Sequence, residues 1–308
     1  MSWLILVLFA VLAGSSHIYI DNYISDFYFK GRHAVSQKLF FAFAFIIVAI
    51  ILAMISGFDF LNADAKIILV LILSGICTSL AGIPYYKALE IDDSTNLGIF
   101  IQVAPVLYLV LGWLFLGESI SLLQMAAFIV IMIAPALIVL STRKRSRKVK
   151  LRAIFYAFLY VLISVASNLV FVKENSVAEV SFLGSMTLVM FGKGVGNLII
   201  MMLKPKWIKR FNDVYKDSRR KVLRPLMGTL GFSLIKDFTY RGALLLAPSV
   251  ALASAAADSA EPIVIFFMGI VLTLIWPKFG REKLNRKSVI IHFAATVLVV
   301  IGVAMLQF

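Results

Sequence analysis

The chain has 308 residues, 61% hydrophobic and 15% charged, with a mean hydropathy of +0.97. Two soluble domains are excluded: about twenty consecutive apolar residues cross a bilayer core, so the chain holds roughly ten crossings and leaves no room for a large extramembrane module. A formal charge of +14 points to nucleic acid in a soluble chain, but in a membrane protein basic loops mark the cytoplasmic face, and nucleic acid is not an expected partner.

Hydrophobic runs bounded by charge, Gly or Pro predict ten helices, at about 2–20, 37–57, 66–88, 95–116, 121–141, 152–172, 180–203, 223–246, 249–275 and 288–307. Their apolarity is continuous, without the period of two that a barrel strand shows, so the fold class is an all-α integral membrane protein. No basic residue precedes Trp3, and the first run therefore reads as a retained span rather than a secretory signal. A single cysteine, Cys77, cannot build a disulfide framework or a thiolate metal site. Neither a metal nor a cofactor is expected.

Loop charge orients the bundle. Of thirty Lys and Arg residues, 25 lie in loops or at helix ends on one side, Lys66, Lys173 and Arg241 on the other, and Lys193 and Lys236 inside spans. The positive-inside rule places the 25 in the cytoplasm, which makes this a multi-pass protein of the cytoplasmic membrane with both termini extracytoplasmic. In the longest loop, Trp207, Ile208, Phe211, Val214, Tyr215 and Val222 recur at helical spacing among basic residues, the pattern of an interfacial amphipathic helix over about 206–222. Asp21, Lys30, Asp92 and Asp93 read as solvated loop residues, and His33 and His292 have no ligand-spaced neighbours.

The chain also repeats itself. Ser79-Leu80, Tyr86 and Lys87 recur 154 residues later as Ser233-Leu234, Tyr240 and Arg241, and Pro105 and Gly112 recur 157 residues later as Pro262 and Gly269. The division that follows is a five-helix repeat over 1–142, a basic cytoplasmic linker over 143–151, and a second five-helix repeat over 152–308. Five is odd, so the second repeat enters the membrane inverted, the architecture of carriers that expose one midplane pocket to each side in turn.

Tyr86-Lys87-Ala88-Leu89, then Pro105, then Leu116-Gly117-Glu118 followed by another apolar span, resembles the repeat signature of EamA-type members of the drug/metabolite transporter superfamily. In the second half the closing motif is altered, with Arg281 between Gly280 and Glu282. The resemblance implies a ten-helix basket around a central cavity and the movement of small organic metabolites, commonly the export of amino acids or related compounds.

Charged side chains cost at least about 2.5–3.5 kcal/mol each at the bilayer centre, so they face a partner or a wet cavity. Lys193, set in Gly192-Lys193-Gly194-Val195-Gly196, is the first candidate for a substrate or counter-ion contact. Lys236 and Asp237 lie mid-span, and Asp237 can pair with Arg241 one turn on. Asp258 and Glu261 are one turn apart just before Pro262, and two carboxylates so placed can hold a proton. His17, Gln102, Tyr86 and Tyr240 complete the candidate substrate or ion contacts. Pro84, Pro105 and Pro262 are candidate hinges, because a proline bends a membrane helix.

No metalloprotease motif, nucleophile elbow or phosphate-cradling loop is present, so an enzyme is not expected. The reading is a secondary carrier that exports small polar or zwitterionic metabolites by alternating access, with proton coupling available to the Asp258/Glu261 pair. Its expected partners are a small-molecule substrate and membrane lipid, with homodimer formation left open. The alternative is a flippase for lipid or a lipid-linked precursor, or a membrane scaffold without small-metabolite flux. A static network among the buried charges, binding no substrate, is the structural counterpart of the site assignment.

Overall fold

A computed structural model describes residues 2–28, 38–91, 103–142, 151–177, 180–203, 205–275 and 286–305. Among the described residues the chain is helical throughout and has no strand. The helices are α1 (Ser2–Phe27), α2 (Lys38–Ile55), α3 (Ala65–Leu80), α4 (Gly82–Ile91), α5 (Ala104–Leu116), α6 (Leu122–Thr142), α7 (Leu151–Val177), α8 (Phe182–Leu203), α9 (Pro205–Leu246), α10 (Val250–Ile275) and α11 (Arg286–Met305), with a 3-10 turn at Asp59–Asn62. Gln102, Lys30, His33, Asp92, Asp93, the basic linker as far as Lys150 and the Gly280–Glu282 motif lie outside the described residues.

Five segments are long and apolar enough to cross a membrane: Ser2–Asp21, Ala65–Tyr85, Leu151–Ser176, Phe182–Leu203 and Val250–Leu272. Shorter apolar helices cover Phe40–Ile55, Ala104–Leu116, Leu122–Ile133 and Phe293–Met305. The span expected at 223–246 is the C-terminal part of α9, and four charges, Arg224, Lys236, Asp237 and Arg241, keep it out of the apolar class. It is continuous with the amphipathic stretch before it, so the two expected elements form one helix of 42 residues despite Pro225 in its interior.

Two boundaries have a proline as their cause. Pro84 has no N–H for the Leu80 carbonyl, and the helix expected at 66–88 breaks there into α3 and α4 at Ala81. Pro105 stands in the first turn of α5, where a missing N–H costs nothing. Of the three candidate hinges, Pro262 alone lies deep in a helix; the other two mark helix starts.

The helices form two compact units, each drawing on both halves of the chain, with boundaries inside α1, α4, α7 and α9. One contains Met1–Ser16, Lys87–Leu162 and Ile235–Phe308. Here α10 packs on α5, α6 and α11, and α6 packs on α11, where Gly302 lies against Ala127 and Ile131. Ile263, Ala295 and Val299 form a core between α10 and α11.

The other unit contains His17–Tyr86 and Ile163–Leu234. Its centre is α8, packed on α2 and α3. Gly75 and Gly192 face each other so closely that a Cβ on either would lie within about 3 Å of the other's Cα, the close backbone approach that small residues allow in membrane helices. In the same unit Phe211, Val214 and Val222, from the apolar stripe at the start of α9, pack with Ile20, Tyr23, Ile24 and Tyr28. Asp21, expected in a solvated loop, lies within α1 and accepts a hydrogen bond from the Thr229 hydroxyl.

Candidate functional site

Three residues separate α9 from α10, so within the first unit the two helices form an antiparallel hairpin. On α10, Ser254, Asp258 and Glu261 recur at i, i+4 and i+7 and share one face. On α9, Lys236 and Tyr240 are likewise one turn apart. The hairpin sets Lys236 opposite Glu261 and Tyr240 opposite Ser254. Lys236 Nζ donates to Glu261 Oε1 at 2.9 Å, and Ser254 Oγ donates to Asp258 Oδ2 at 2.8 Å.

Three further helices of the same unit close around this pair of faces. From α5, Tyr108 reaches the Tyr240 hydroxyl, which also meets Ser254. From α7, Tyr160 joins Asp258 and Glu261 in the electrostatic surroundings of Lys236. From α1 comes Gly14: a Cβ there would stand 2.7 Å from Glu261 Oε1 and 3.0 Å from Lys236 Nζ, so only glycine leaves the ion pair its place. Arg241, expected at a loop end, is buried within α9 with Asp237, Tyr108 and Tyr240 as its charged and polar neighbours.

The Lys236 and Glu261 side chains remain 40% and 24% exposed although α1, α7, α9 and α10 surround them. Charges at membrane depth cost several kcal/mol each in hydrocarbon, a cost that pairing Lys236 with Glu261 reduces. Pro262 stands four residues beyond Asp258 and has no N–H to give its carbonyl, which loosens α10 next to the carboxylates.

The remaining sequence candidates fall elsewhere. Lys193 belongs to the second unit, where it is 6% exposed and its Nζ lies 5.5 Å over the Phe45 ring. Its carbonyl accepts the Ser79 hydroxyl at 2.9 Å. His17, also in that unit, has Nε2 at 3.7 Å from Asp21 Oδ2. Tyr86 lies on α4, with its side chain outside what the structure describes. Gly14, Tyr108, Tyr160 and Ser254 were not singled out from the sequence. Ser254 was within reach of it, being one turn before Asp258, whereas nothing local marks a glycine or tyrosine in an apolar run.

Two loop carboxylates cap helix starts far along the chain. Gly117, at φ 68°, ends α5 in the left-handed conformation and turns Glu118 toward α10, where its carboxylate accepts the Val250 N–H at 3.0 and 3.2 Å. Burial raises the Glu118 pKa against the opposing pull of the hydrogen bonds from Val250 and Ser249. In the second unit, left-handed Gly57 and Phe58 turn Asp59 toward α8, and its Oδ2 accepts the Ser181 N–H at 2.9 Å. Burial pushes Asp59 up, but the hydrogen bonds, led by those from Ser181, outweigh it and lower its pKa. The Leu116-Gly117-Glu118 motif thus has a physical role: it holds the start of the helix that carries Asp258 and Glu261.

Residues 1–140 match the model of the EamA-like transporter family, within the drug/metabolite transporter superfamily, whose members are transporters rather than enzymes. Together with the spans described above, the match points to a multi-pass membrane protein of transporter type. One protein of known crystal structure has the same fold at a TM-score of 0.62 and 14% identity, covering 96% of this chain and 95% of that one. Comparison with curated proteins found no match.

Proposed function

We propose that this protein is a secondary carrier that exports a small zwitterionic metabolite across the cytoplasmic membrane by alternating access, with ten membrane spans arranged as two inverted five-span repeats. The observation that carries the reading is the partly exposed Lys236–Glu261 pair at 2.9 Å, bordered by α1 from the first half of the chain and α7, α9 and α10 from the second. A site shared by both repeats can be opened to one side and then the other by exchanging their conformations.

The lining is dipolar. Lys236 and Arg241 supply cations for a carboxylate group, and Glu261, Asp258 and Asp237 supply anions for an ammonium group. Tyr108, Tyr160 and Tyr240 offer aromatic faces to the rest of the solute. In the empty state Lys236 and Glu261 neutralise each other, and a zwitterion takes the place of each partner for the other. Asp258, held by Ser254 beside this pair, is the group for proton coupling.

Flux of a panel of amino acids and related zwitterions in proteoliposomes, with and without a pH gradient, tests this. Export of one solute class, stimulated by the gradient and abolished by Glu261→Gln, is expected, with Asp258→Asn keeping exchange but losing stimulation. Wild-type flux in both folded variants would remove the assignment.

A further inference from the structure

We propose that the groove at the start of α7 binds an anionic phospholipid, with the headgroup at Arg152 and Lys87 and one acyl chain along the helix. The groove encloses about 620 Å³ and is lined by Leu151, Arg152, Ile154, Phe155, Tyr156 and Phe158. Leu151, Phe155 and Phe158 recur at i, i+4 and i+7 and are all exposed, so they form a continuous apolar stripe about 10 Å long, enough for the upper part of an acyl chain. Ala88 of α4 packs against Ala153 and Ala157 of α7, which places Lys87 beside the start of α7.

Lys87 Nζ lies 5.3 Å over the Tyr156 ring, so this cation is held at the groove rather than swinging free. Arg152 is exposed at the mouth, and its planar fork suits a phosphodiester. In a bilayer some lipid must cover the apolar stripe, and the two cations beside it select an anionic one. Each basic residue near the headgroups contributes about fivefold in lipid affinity, so the pair gives about twenty-five-fold preference.

The full-length protein, purified in detergent and exposed to equimolar phosphatidylglycerol and phosphatidylcholine, tests this by native mass spectrometry. Preferential retention of phosphatidylglycerol is expected, lost in Lys87→Gln/Arg152→Gln and kept in Lys206→Gln/Lys209→Gln, which removes two exposed charges from α9 instead. Phe155→Ala/Phe158→Ala is expected to lower retention with the cations intact, and inorganic phosphate not to displace the lipid. Equal retention of the two lipids, an unchanged preference in the Lys87/Arg152 variant, or displacement by phosphate alone would overturn the proposal.

Discussion

The Tyr28 hydroxyl donates to the Lys221 carbonyl at 2.8 Å, and Lys221 lies four residues before Pro225, so the tyrosine serves the carbonyl that the proline cannot. A proline in the interior of a 42-residue helix is tolerated because Tyr28, 193 positions from Lys221, replaces the missing donor. Tyr28→Phe should therefore destabilise the protein by about 0.5–1.5 kcal/mol. In a Pro225→Ala background most of that loss should disappear, because alanine restores the N–H. Melting temperatures in detergent for the two single variants and the double variant check the coupling.

Gly192 and Gly231 should respond to alanine in opposite directions. At Gly192 a Cβ would meet the Ile72 carbonyl oxygen and the Gly75 Cα, both backbone atoms that cannot swing aside. Forcing α3 and α8 apart costs about 1–3 kcal/mol. At Gly231, inside α9, nothing lies within 4 Å, and alanine gains about 0.5–1 kcal/mol of helix propensity. Thermal unfolding of Gly192→Ala and Gly231→Ala should move down and up respectively.

Gly14→Ala separates folding from function. The atoms a methyl group would meet there are the ends of flexible side chains, Glu261 Oε1 and Lys236 Nζ, so the fold can adjust while the ion pair is displaced. Substrate affinity should fall about tenfold, equivalent to about 1.4 kcal/mol. The melting temperature should change little, and binding titrations beside thermal unfolding check both.

The two capping carboxylates should give opposite pH slopes. Glu118 has its pKa raised in the folded state, so its contribution to stability is greatest in acid and falls as pH rises from its ordinary 4.5 through the raised value. Asp59 is lowered, so its contribution is present above 3.8 and is lost as pH falls through the lowered value. Glu118→Gln keeps an acceptor for Val250 and should remove the first slope. Asp59→Asn should remove the second. Glu118→Ala also loses the cap, about 1 kcal/mol. Melting temperatures across pH 3 to 8, a range of about five units, resolve the two signs.

What the sequence showed was whatever repeats within a few residues. Apolar runs between charges placed the helices, i,i+4 spacing paired Asp237 with Arg241, and i,i+3 spacing grouped Asp258 with Glu261. Partners between elements were out of reach. That Lys236 meets Glu261 depends on the register of the α9–α10 hairpin, and no local pattern encodes it. Asp21 with Thr229, Asp59 with Ser181 and Glu118 with Val250 are separated by 208, 122 and 132 residues. Asp21 looked solvated for that reason, since a carboxylate near the end of an apolar run carries no mark of the helix that will cover it. The change from amphipathic to apolar character near residue 222 suggested two elements where the backbone forms one, because periodicity reports what surrounds a helix and not where its hydrogen bonds stop.

The most direct measurement is counterflow of a zwitterionic substrate in proteoliposomes for the wild type, Lys236→Gln and Glu261→Gln. Rates at least about tenfold lower in both variants, with melting temperatures close to that of the wild type, are expected if this pair forms the transport site. Wild-type rates in either variant would contradict it and reduce the pair to a structural salt bridge.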